Sequence, residues 1–193
     1  MNVDDPRSQR TREALMNAAF SLASEHSVSD ISLTQIAKEA GVSRPAVYQQ
    51  FGDVPSVVMV AAERYISDIF ARIDEKISVG DDKDYLVGMM ELFIQGVYEE
   101  RDFCRNALSG PSGGKIAAHT IEFLSDRMGS RLIGKRLSAA GSASKDCLTA
   151  IAAGEVWLLE EWLNSDFADR NAPECIAGRM AEVMFRLSGI VQD

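Results

Sequence analysis

Residues 31–51 read ISLTQIAKEAGVSRPAVYQQF, and this stretch decides the fold of the N-terminal part of the chain. Ser32, followed three residues later by Gln35, forms a capping-box pattern that predicts a helix beginning near Leu33. Gly41 tolerates the positive φ that ends a helix in a tight turn. The pattern therefore predicts a short helix, a glycine turn and a second helix, which together make a helix-turn-helix.

The second helix, expected over residues 44–51, carries the side chains that face outward. Ser43 is suited to cap this helix, and Pro45 fits its first turn. The outward side chains form hydrogen bonds and include no acid: Arg44, Tyr48, Gln49 and Gln50. A recognition helix in the major groove uses this chemistry, with Arg suited to a guanine edge and Gln to an adenine edge. A solvated helix face is the alternative interpretation.

The pattern T-x-I-A-x-x-A-G-V-S-x-x-x-V-Y-x-x-F over residues 34–51 resembles the DNA-binding domain of TetR-type (tetracycline-repressor) transcriptional regulators. The resemblance implies a homodimer that binds a palindromic operator in double-stranded DNA, represses, and is released when a small effector binds its C-terminal domain. The residues expected to contact DNA are Arg7, Arg10, Arg12, Thr34, Ser43, Arg44, Pro45, Ala46, Tyr48, Gln49 and Gln50.

Three positions depart from the pattern of the family. Pro45 stands where members often have Gly, and Gln50 stands where they often have His, although its amide still reaches phosphate as a neutral donor. Val54 occupies the position of a Lys at the start of the fourth helix. The last departure predicts that one phosphate contact is missing.

Helical spacing of apolar residues recurs along the rest of the chain, and alternating strand patterns are nearly absent. Stripes of this kind run over residues 86–97, 121–132 and 176–191. The sequence therefore predicts an all-α protein of about nine helices. Residues 1–52 form the expected three-helix DNA-binding domain, and residues 53–193 form a larger helical domain for effector binding and dimerisation.

The net charge of the whole chain, taken alone, does not favour binding to nucleic acid. The formal net charge is −9, and phosphate repels an acidic protein. Residues 1–52 carry only −1 of this charge, however, and residues 53–193 carry −8. The acidity thus belongs to the C-terminal part, while Arg7, Arg10 and Arg12 cluster at the start of the first helix.

Residues 150–163 are apolar around almost the whole circumference of their helix. A helix of this kind is buried on both sides, which suggests the domain core on one side and a partner subunit on the other. The last stripe is expected to pack beside it. The predicted dimer interface comprises Val156, Leu159, Trp162, Leu163, Met180, Val183, Met184 and Leu187. A central core helix in a monomer is the alternative.

Adaptable or large apolar side chains and a few polar ones mark the expected effector site, and they indicate a mainly hydrophobic effector. The residues are Met89, Met90, Phe93, Tyr98, His119, Glu122, Phe123, Met128 and Trp157. Each of the apolar ones suits a plain core equally well. The resemblance to the family, and not the pattern itself, favours a pocket.

Other classes of protein have little support in the sequence. No apolar stretch reaches the roughly 20 residues of a membrane helix, and the polar N-terminus is unlike a secretory signal, so we expect a cytoplasmic protein. Residues 110–115 fail the pattern of a phosphate loop. The spacing of Cys104, Cys147 and Cys175 indicates no metal site, and no catalytic arrangement or cofactor motif is found. A small helical enzyme or carrier with a vestigial helix-turn-helix, or an activator, stays open as an alternative.

Overall fold

A computed structural model describes residues 6–77, 83–130 and 145–187. Within these ranges the chain forms nine α-helices and two short 3-10 helices, at Val28–Asp30 and Asp169–Asn171, and no strand. The α-helices are α1 Pro6–Glu25, α2 Leu33–Glu39, α3 Arg44–Phe51, α4 Val54–Lys76, α5 Lys83–Glu99, α6 Arg101–Ser109, α7 Gly113–Ser130, α8 Lys145–Leu163 and α9 Pro173–Leu187. The predicted all-α fold of about nine helices is confirmed.

One compact unit comprises Met1–Tyr65 and Glu100–Ile116. In this unit α1 packs against α2 and α6, and α2 packs against α3. Its core contains buried aliphatic side chains from the first four helices. It also contains aromatic side chains, and the rings of Phe20 and Phe103 stack with centroids 4.1 Å apart. The helix-turn-helix is therefore part of a larger packed unit that includes α6.

The other compact unit comprises Ile66–Glu99 and Ala117–Asp193. Here α5 packs along α9, and α9 also contacts α8. The apolar stripe over residues 86–97 is the buried face of α5, as its spacing predicts. The parts of the other two stripes at 131–132 and 188–191 lie outside the described residues.

The two compact units do not divide the chain at residue 52. The first unit takes in the start of α4, because Val57, Val58 and Ala61 pack in its core, and it takes in α6 through Phe103. The first unit nevertheless carries a net charge of −1 and the other unit −8, the same values that a division of the sequence after residue 52 gives. The boundary at 52/53 remains a prediction about which residues serve DNA binding.

Candidate nucleic-acid interface

The start of α2 has the predicted capping box. The hydroxyl of Ser32 accepts a hydrogen bond from the backbone N–H of Gln35 at 3.2 Å, and Oε1 of Gln35 accepts one from the backbone N–H of Ser32 at 2.9 Å. Two of the N–H groups that a helix start leaves unpaired are thereby satisfied within the segment. The local sequence alone is sufficient to begin the helix at Leu33.

The turn between α2 and α3 is a Schellman motif. The backbone N–H of Val42 donates to the carbonyl of Ala37 at 2.9 Å, and that of Gly41 donates to the carbonyl of Lys38 at 3.2 Å. Gly41 has a φ of +65°, which only glycine adopts without strain. The predicted glycine turn is confirmed, and it sets the direction in which α3 leaves α2.

Helix α3 is buried on one side and exposed to solvent on the other. Val47 is fully buried, whereas Tyr48 is 67% exposed and Arg44 and Gln49 are also exposed. Ser43 occupies the N-cap position but its side chain makes no capping hydrogen bond. Among the other predicted DNA contacts, Thr34, Ser43 and Pro45 are exposed, and Ala46 is half-buried.

Two of the predicted phosphate contacts hold α1 against α3. Nε2 of Gln50 donates a hydrogen bond to the hydroxyl of Ser8 at 2.9 Å. The guanidinium of Arg12 lies over the ring of Phe51, with its carbon 4.5 Å from the ring centroid, a cation–π geometry. These side chains position α3, whereas Arg7 and Arg10 on α1 are exposed.

The start of α4 is capped by a carboxylate. Oδ1 of Asp53 accepts a hydrogen bond from the backbone N–H of Ser56 at 2.8 Å, and hydrogen bonding to Ser56 lowers the pKa of Asp53 from its ordinary value. Val54, at the position of the family's Lys, is only 8% exposed and packs in the core. A valine that is buried here offers DNA neither charge nor a side-chain donor.

A known protein family matches the segment that contains the helix-turn-helix. Residues 15–53 match the model described as "Bacterial regulatory proteins, tetR family". The chain carries a tetR-type DNA-binding domain. The match covers α1 from Leu15, the whole helix-turn-helix and the capping residue of α4, which are the elements whose geometry is given above.

Curated relatives of this domain are described as regulators. An uncharacterised HTH-type transcriptional regulator of Mycobacterium tuberculosis is 33% identical over 73 residues, which cover 38% of this chain and 37% of the relative. The chain therefore matches less than half the length of that relative. The match is therefore confined to a part of each chain.

Solved tetR-type structures share the fold over nearly the whole chain. The TetR family repressor AlkX from a Dietzia species, implicated in biodegradation of n-alkanes, has a TM-score of 0.63 at 18% identity and covers 99% of both chains. The fatty acid degradation regulator FadR from Bacillus halodurans has a TM-score of 0.62 at 12% identity, with 94% of this chain and 95% of that chain covered.

The residues expected to bind an effector are not brought together at one place. Met90, Phe93 and Met128 are buried, and the ring of Phe70 lies 5.3 Å from Phe93 and 5.5 Å from Phe123. Met89 is half-buried. These side chains belong to a packed apolar core of the second unit, which agrees with the plain-core interpretation that the sequence left open.

The remaining effector candidates lie apart from that core. Tyr98 packs against Trp162 and Phe167, with ring centroids 6.2 and 5.4 Å away. His119 and Glu122 are exposed. Trp157 is 59% exposed, and its assignment to an effector site stays a prediction.

Most of the expected interface residues are core residues of the chain itself. The six that are buried are Val156, Leu159, Trp162, Leu163, Met180 and Met184, none more than 5% exposed. They are buried within their own chain, and their assignment to a dimer interface stays a prediction. Val183 is half-buried and Leu187 is 58% exposed, so these two lie at the surface.

Sequence reasoning misses Glu155, which is the one buried charged residue within ranges 6–77, 83–130 and 145–187. It lies in the middle of α8, where the apolar character of residues 150–163 conceals it. Its position three residues after Ala152 and four before Leu159, both buried, is the signal available in the sequence.

Metal and membrane sites have no structural support in the part of the chain that is described. There, no three His, Cys, Asp or Glu side chains come together as a metal-binding group, and no helix combines the length and apolar character needed to cross a bilayer. Burial raises the pKa of the Cys104 thiol to about 12, which makes it a poor nucleophile. Cys147 and Cys175 are exposed cysteines.

Proposed function

We propose that the chain is a homodimeric, sequence-specific DNA-binding transcriptional regulator, a repressor that a small, mainly hydrophobic effector releases from a palindromic operator. The observation that carries the proposal is the exposed face of α3, which presents Arg44, Tyr48 and Gln49 on a tetR-type helix-turn-helix. These side chains are uncharged or positive, which suits a surface that approaches phosphate. A cytoplasmic location follows from this role.

The exposed polar groups divide into two kinds of DNA contact. Arg44 is suited to the O6 and N7 acceptors of guanine and Gln49 to adenine, and each good pair is worth about 1–3 kcal/mol of discrimination. Arg7 and Arg10 are suited to phosphate, which fixes orientation without reading sequence. Specificity therefore depends on α3, and overall affinity depends partly on α1.

A mobility-shift experiment tests the proposal. The wild-type protein is expected to form a complex with the DNA upstream of its own gene that a scrambled duplex does not displace. Arg44→Ala is expected to weaken that complex about tenfold or more, because a base contact of this kind is worth about 1–3 kcal/mol. Arg170→Ala is the matched control, because it removes an exposed arginine from the second compact unit.

The contrary outcome is also defined. If no sequence-specific complex forms even at low salt, the repressor proposal fails and a helical carrier or enzyme becomes the better interpretation. If a specific complex forms and stimulates transcription in a reconstituted assay, the protein is an activator, and only the repressor part of the proposal fails.

The effector part of the proposal is supported by the second unit. Its core is rich in methionine and aromatic side chains, which adapt to irregular apolar ligands. The structural neighbours AlkX and FadR are described in connection with n-alkanes and fatty acid degradation. A mainly hydrophobic effector is consistent with both observations.

The dimer part of the proposal is supported by an outward apolar face on α8 and α9. Trp157 and Leu187 are 59% and 58% exposed, and a Cβ added at Gly154 would meet nothing within 4 Å. Large apolar side chains beside small residues favour close approach of a second helix pair. We expect Trp157→Glu or Leu187→Glu to yield monomer in sedimentation equilibrium.

The matched control for this dimer test is Gln95→Glu, which adds the same charge at an exposed site on α5. A substitution at Leu159 or Met184 would be uninformative, because both are buried within the chain and a charge there would unfold it. Unchanged mass of the Trp157→Glu and Leu187→Glu variants, with helical content retained, would contradict dimerisation through this face.

A further inference from the structure

One carboxyl group lies inside the apolar core of the second unit. Glu155 is in the middle of α8 and is 4% exposed. It shares the buried face of the helix with apolar residues at helical spacing: Leu148, Ile151, Ala152, Val156, Leu159, Trp162 and Leu163. A charged carboxylate in such surroundings is costly unless a partner compensates it.

The carboxyl group of Glu155 has no such partner among the described residues. Both of its oxygens are shielded from solvent, and neither has a hydrogen bond within ranges 6–77, 83–130 and 145–187. Desolvation raises the pKa of Glu155 to about 8. Since buried side-chain polar atoms in native proteins are nearly always hydrogen-bonded, this group requires an explanation.

We infer that Glu155 is the polar anchor of the effector site, and that the effector is an organic cation with N–H donors on an apolar body, of the alkylammonium class. This inference rests on the proposed function, because it names the chemical class of the ligand that the second unit takes. It also adds a buried side chain to the polar residues expected at that site, which are Tyr98, His119 and Glu122.

The chemistry of the two oxygens selects this class. A bound ammonium group favours the ionised form of Glu155, since an opposite charge nearby lowers the pKa of a carboxyl group. The ionised carboxyl group accepts several hydrogen bonds and donates none, and the ammonium group supplies three donors together with the opposite charge. In an apolar site of low dielectric constant, such a pair is stronger than it is in water. An alcohol offers a single donor and no charge, and a carboxylate ligand repels Glu155.

The charge of the second unit points to the same class of ligand. Ile66–Glu99 and Ala117–Asp193 together contain 11 Lys and Arg residues against 19 Asp and Glu residues. A protein surface of one sign raises the local concentration of ligands of the opposite sign. The apolar neighbours of Glu155 on α8 would then cover the hydrocarbon part of a bound amphiphilic cation.

The test uses the full chain without DNA and three probes that share one hydrocarbon chain: decylammonium chloride, decanol and sodium decanoate, each below its micelle concentration. Binding is followed by tryptophan fluorescence and by isothermal titration calorimetry. The wild-type protein is expected to bind decylammonium about tenfold or more tightly than decanol, the smaller end of the range for buried charge pairs. Decanoate is expected to bind more weakly than either.

Variants of Glu155 separate the anchor from a general hydrophobic effect. Glu155→Gln keeps the shape, removes the charge and is expected to abolish the preference for decylammonium, whereas Glu155→Asp is expected to retain it. Glu161→Gln is the matched control, because Glu161 is exposed on the same helix. Circular dichroism establishes that each variant is folded.

Several outcomes would overturn the inference: no saturable binding of any probe, equal affinity for decylammonium and decanol, tighter binding of decanoate, or a preference that survives Glu155→Gln. The mobility shift without probe separates this failure from that of the proposed function. If the specific DNA complex forms and the preference is absent, only the effector class is wrong. If the preference is present and no complex forms, only the regulator proposal is wrong.

Discussion

Arg12 and Gln50 show how single side chains fix the direction of the recognition helix. The cation–π contact of Arg12 with Phe51 and the hydrogen bond from Gln50 to Ser8 join α1 to the last turn of α3. The sequence predicts both residues as phosphate contacts, because an arginine and an amide next to a helix-turn-helix fit that role. Only their partners in three dimensions reveal the positioning role.

Arg12→Ala is expected to lower the free energy of unfolding by about 0.5–2 kcal/mol, the range for a cation–π contact with partial burial. Urea denaturation measures the change. Arg10→Ala is the matched substitution on the same helix and, being exposed, is expected to stay within about 0.5 kcal/mol of wild type. Equal effects of the two substitutions would show that the contact with Phe51 contributes nothing.

Glu155 makes the stability of the protein depend on pH in an identifiable direction. Its pKa is raised from the ordinary value of 4.5 to about 8, so the folded chain keeps a proton that the unfolded chain has lost between these values. The contribution is therefore fully present below pH 4.5 and is lost as the pH rises to about 8. The decline is at most about 1.4 kcal/mol for each pH unit.

Glu155→Gln is expected to remove this decline, because an amide does not titrate. The measurement is urea denaturation of both proteins at intervals from about pH 5 to about pH 8.5, a range that spans the raised pKa, with Glu161→Gln as the control that keeps the wild-type profile. A difference between wild type and Glu155→Gln that is constant across that range would contradict the burial of an unpaired carboxyl group.

At the scale of elements, the parts of the fold that depend on local chemistry were predictable. The capping box of Ser32 and Gln35 and the turn at Gly41 both appear as the sequence indicates. Each involves groups within a few residues of one another. The packing of α6 on α1 was not predictable, because nothing in the segment Arg101–Ser109 specifies which helix covers its buried face.

The connection between α6 and α7 depends on close packing of the backbone. The backbone N–H of Gly113 donates a hydrogen bond to the carbonyl of Gly110 at 2.9 Å, and α7 begins at Gly113. A methyl group at Gly113 would lie 1.7 Å from the carbonyl oxygen of Leu108. The turn is therefore tight and specific.

Gly113→Ala is expected to lower the free energy of unfolding by about 2 kcal/mol or more, since the backbone itself must move to relieve the overlap. Gly114→Ala is the matched control, because nothing lies within 4 Å of a methyl group there. In a helix it is expected to be neutral or to stabilise by up to about 1 kcal/mol. Thermal unfolding measures both changes, and similar melting temperatures would contradict the tight turn.

At the scale of the whole molecule, the charge distribution limits how the protein uses electrostatics. The DNA-reading unit carries −1 and the other unit carries −8. Arg7 and Arg10 are exposed on α1, and they are the two phosphate contacts that we expect from that helix. Non-specific attraction to DNA is expected to be weak, so recognition depends on base contacts.

This arrangement predicts a shallow salt dependence. Two phosphate contacts in each subunit give a dimer a slope of about −4 in log K against log salt concentration. Fluorescence anisotropy of a labelled operator over a series of salt concentrations measures it, with Arg10→Ala expected to reduce the slope by about two in the dimer. A wild-type slope of about −7 or steeper would require phosphate contacts beyond those expected here.

The division between core and interface could not be predicted from the sequence, for a physical reason. Burial against the same chain and burial against a partner select the same apolar residues at the same helical spacing. The structure separates them, because Leu159 and Met184 are buried in the chain while Trp157 and Leu187 remain exposed. The same ambiguity explains why a set of methionine and aromatic residues did not define one pocket.

The most direct test of the central claim is selection of binding sites from a library of random duplex DNA by the wild-type protein and by Arg44→Ala. If the exposed face of α3 reads base edges, the wild type is expected to enrich an inverted repeat. The Arg44→Ala variant is expected to lose preference at one position in each half-site. Failure to enrich any sequence, or the same consensus for both proteins, would contradict the account.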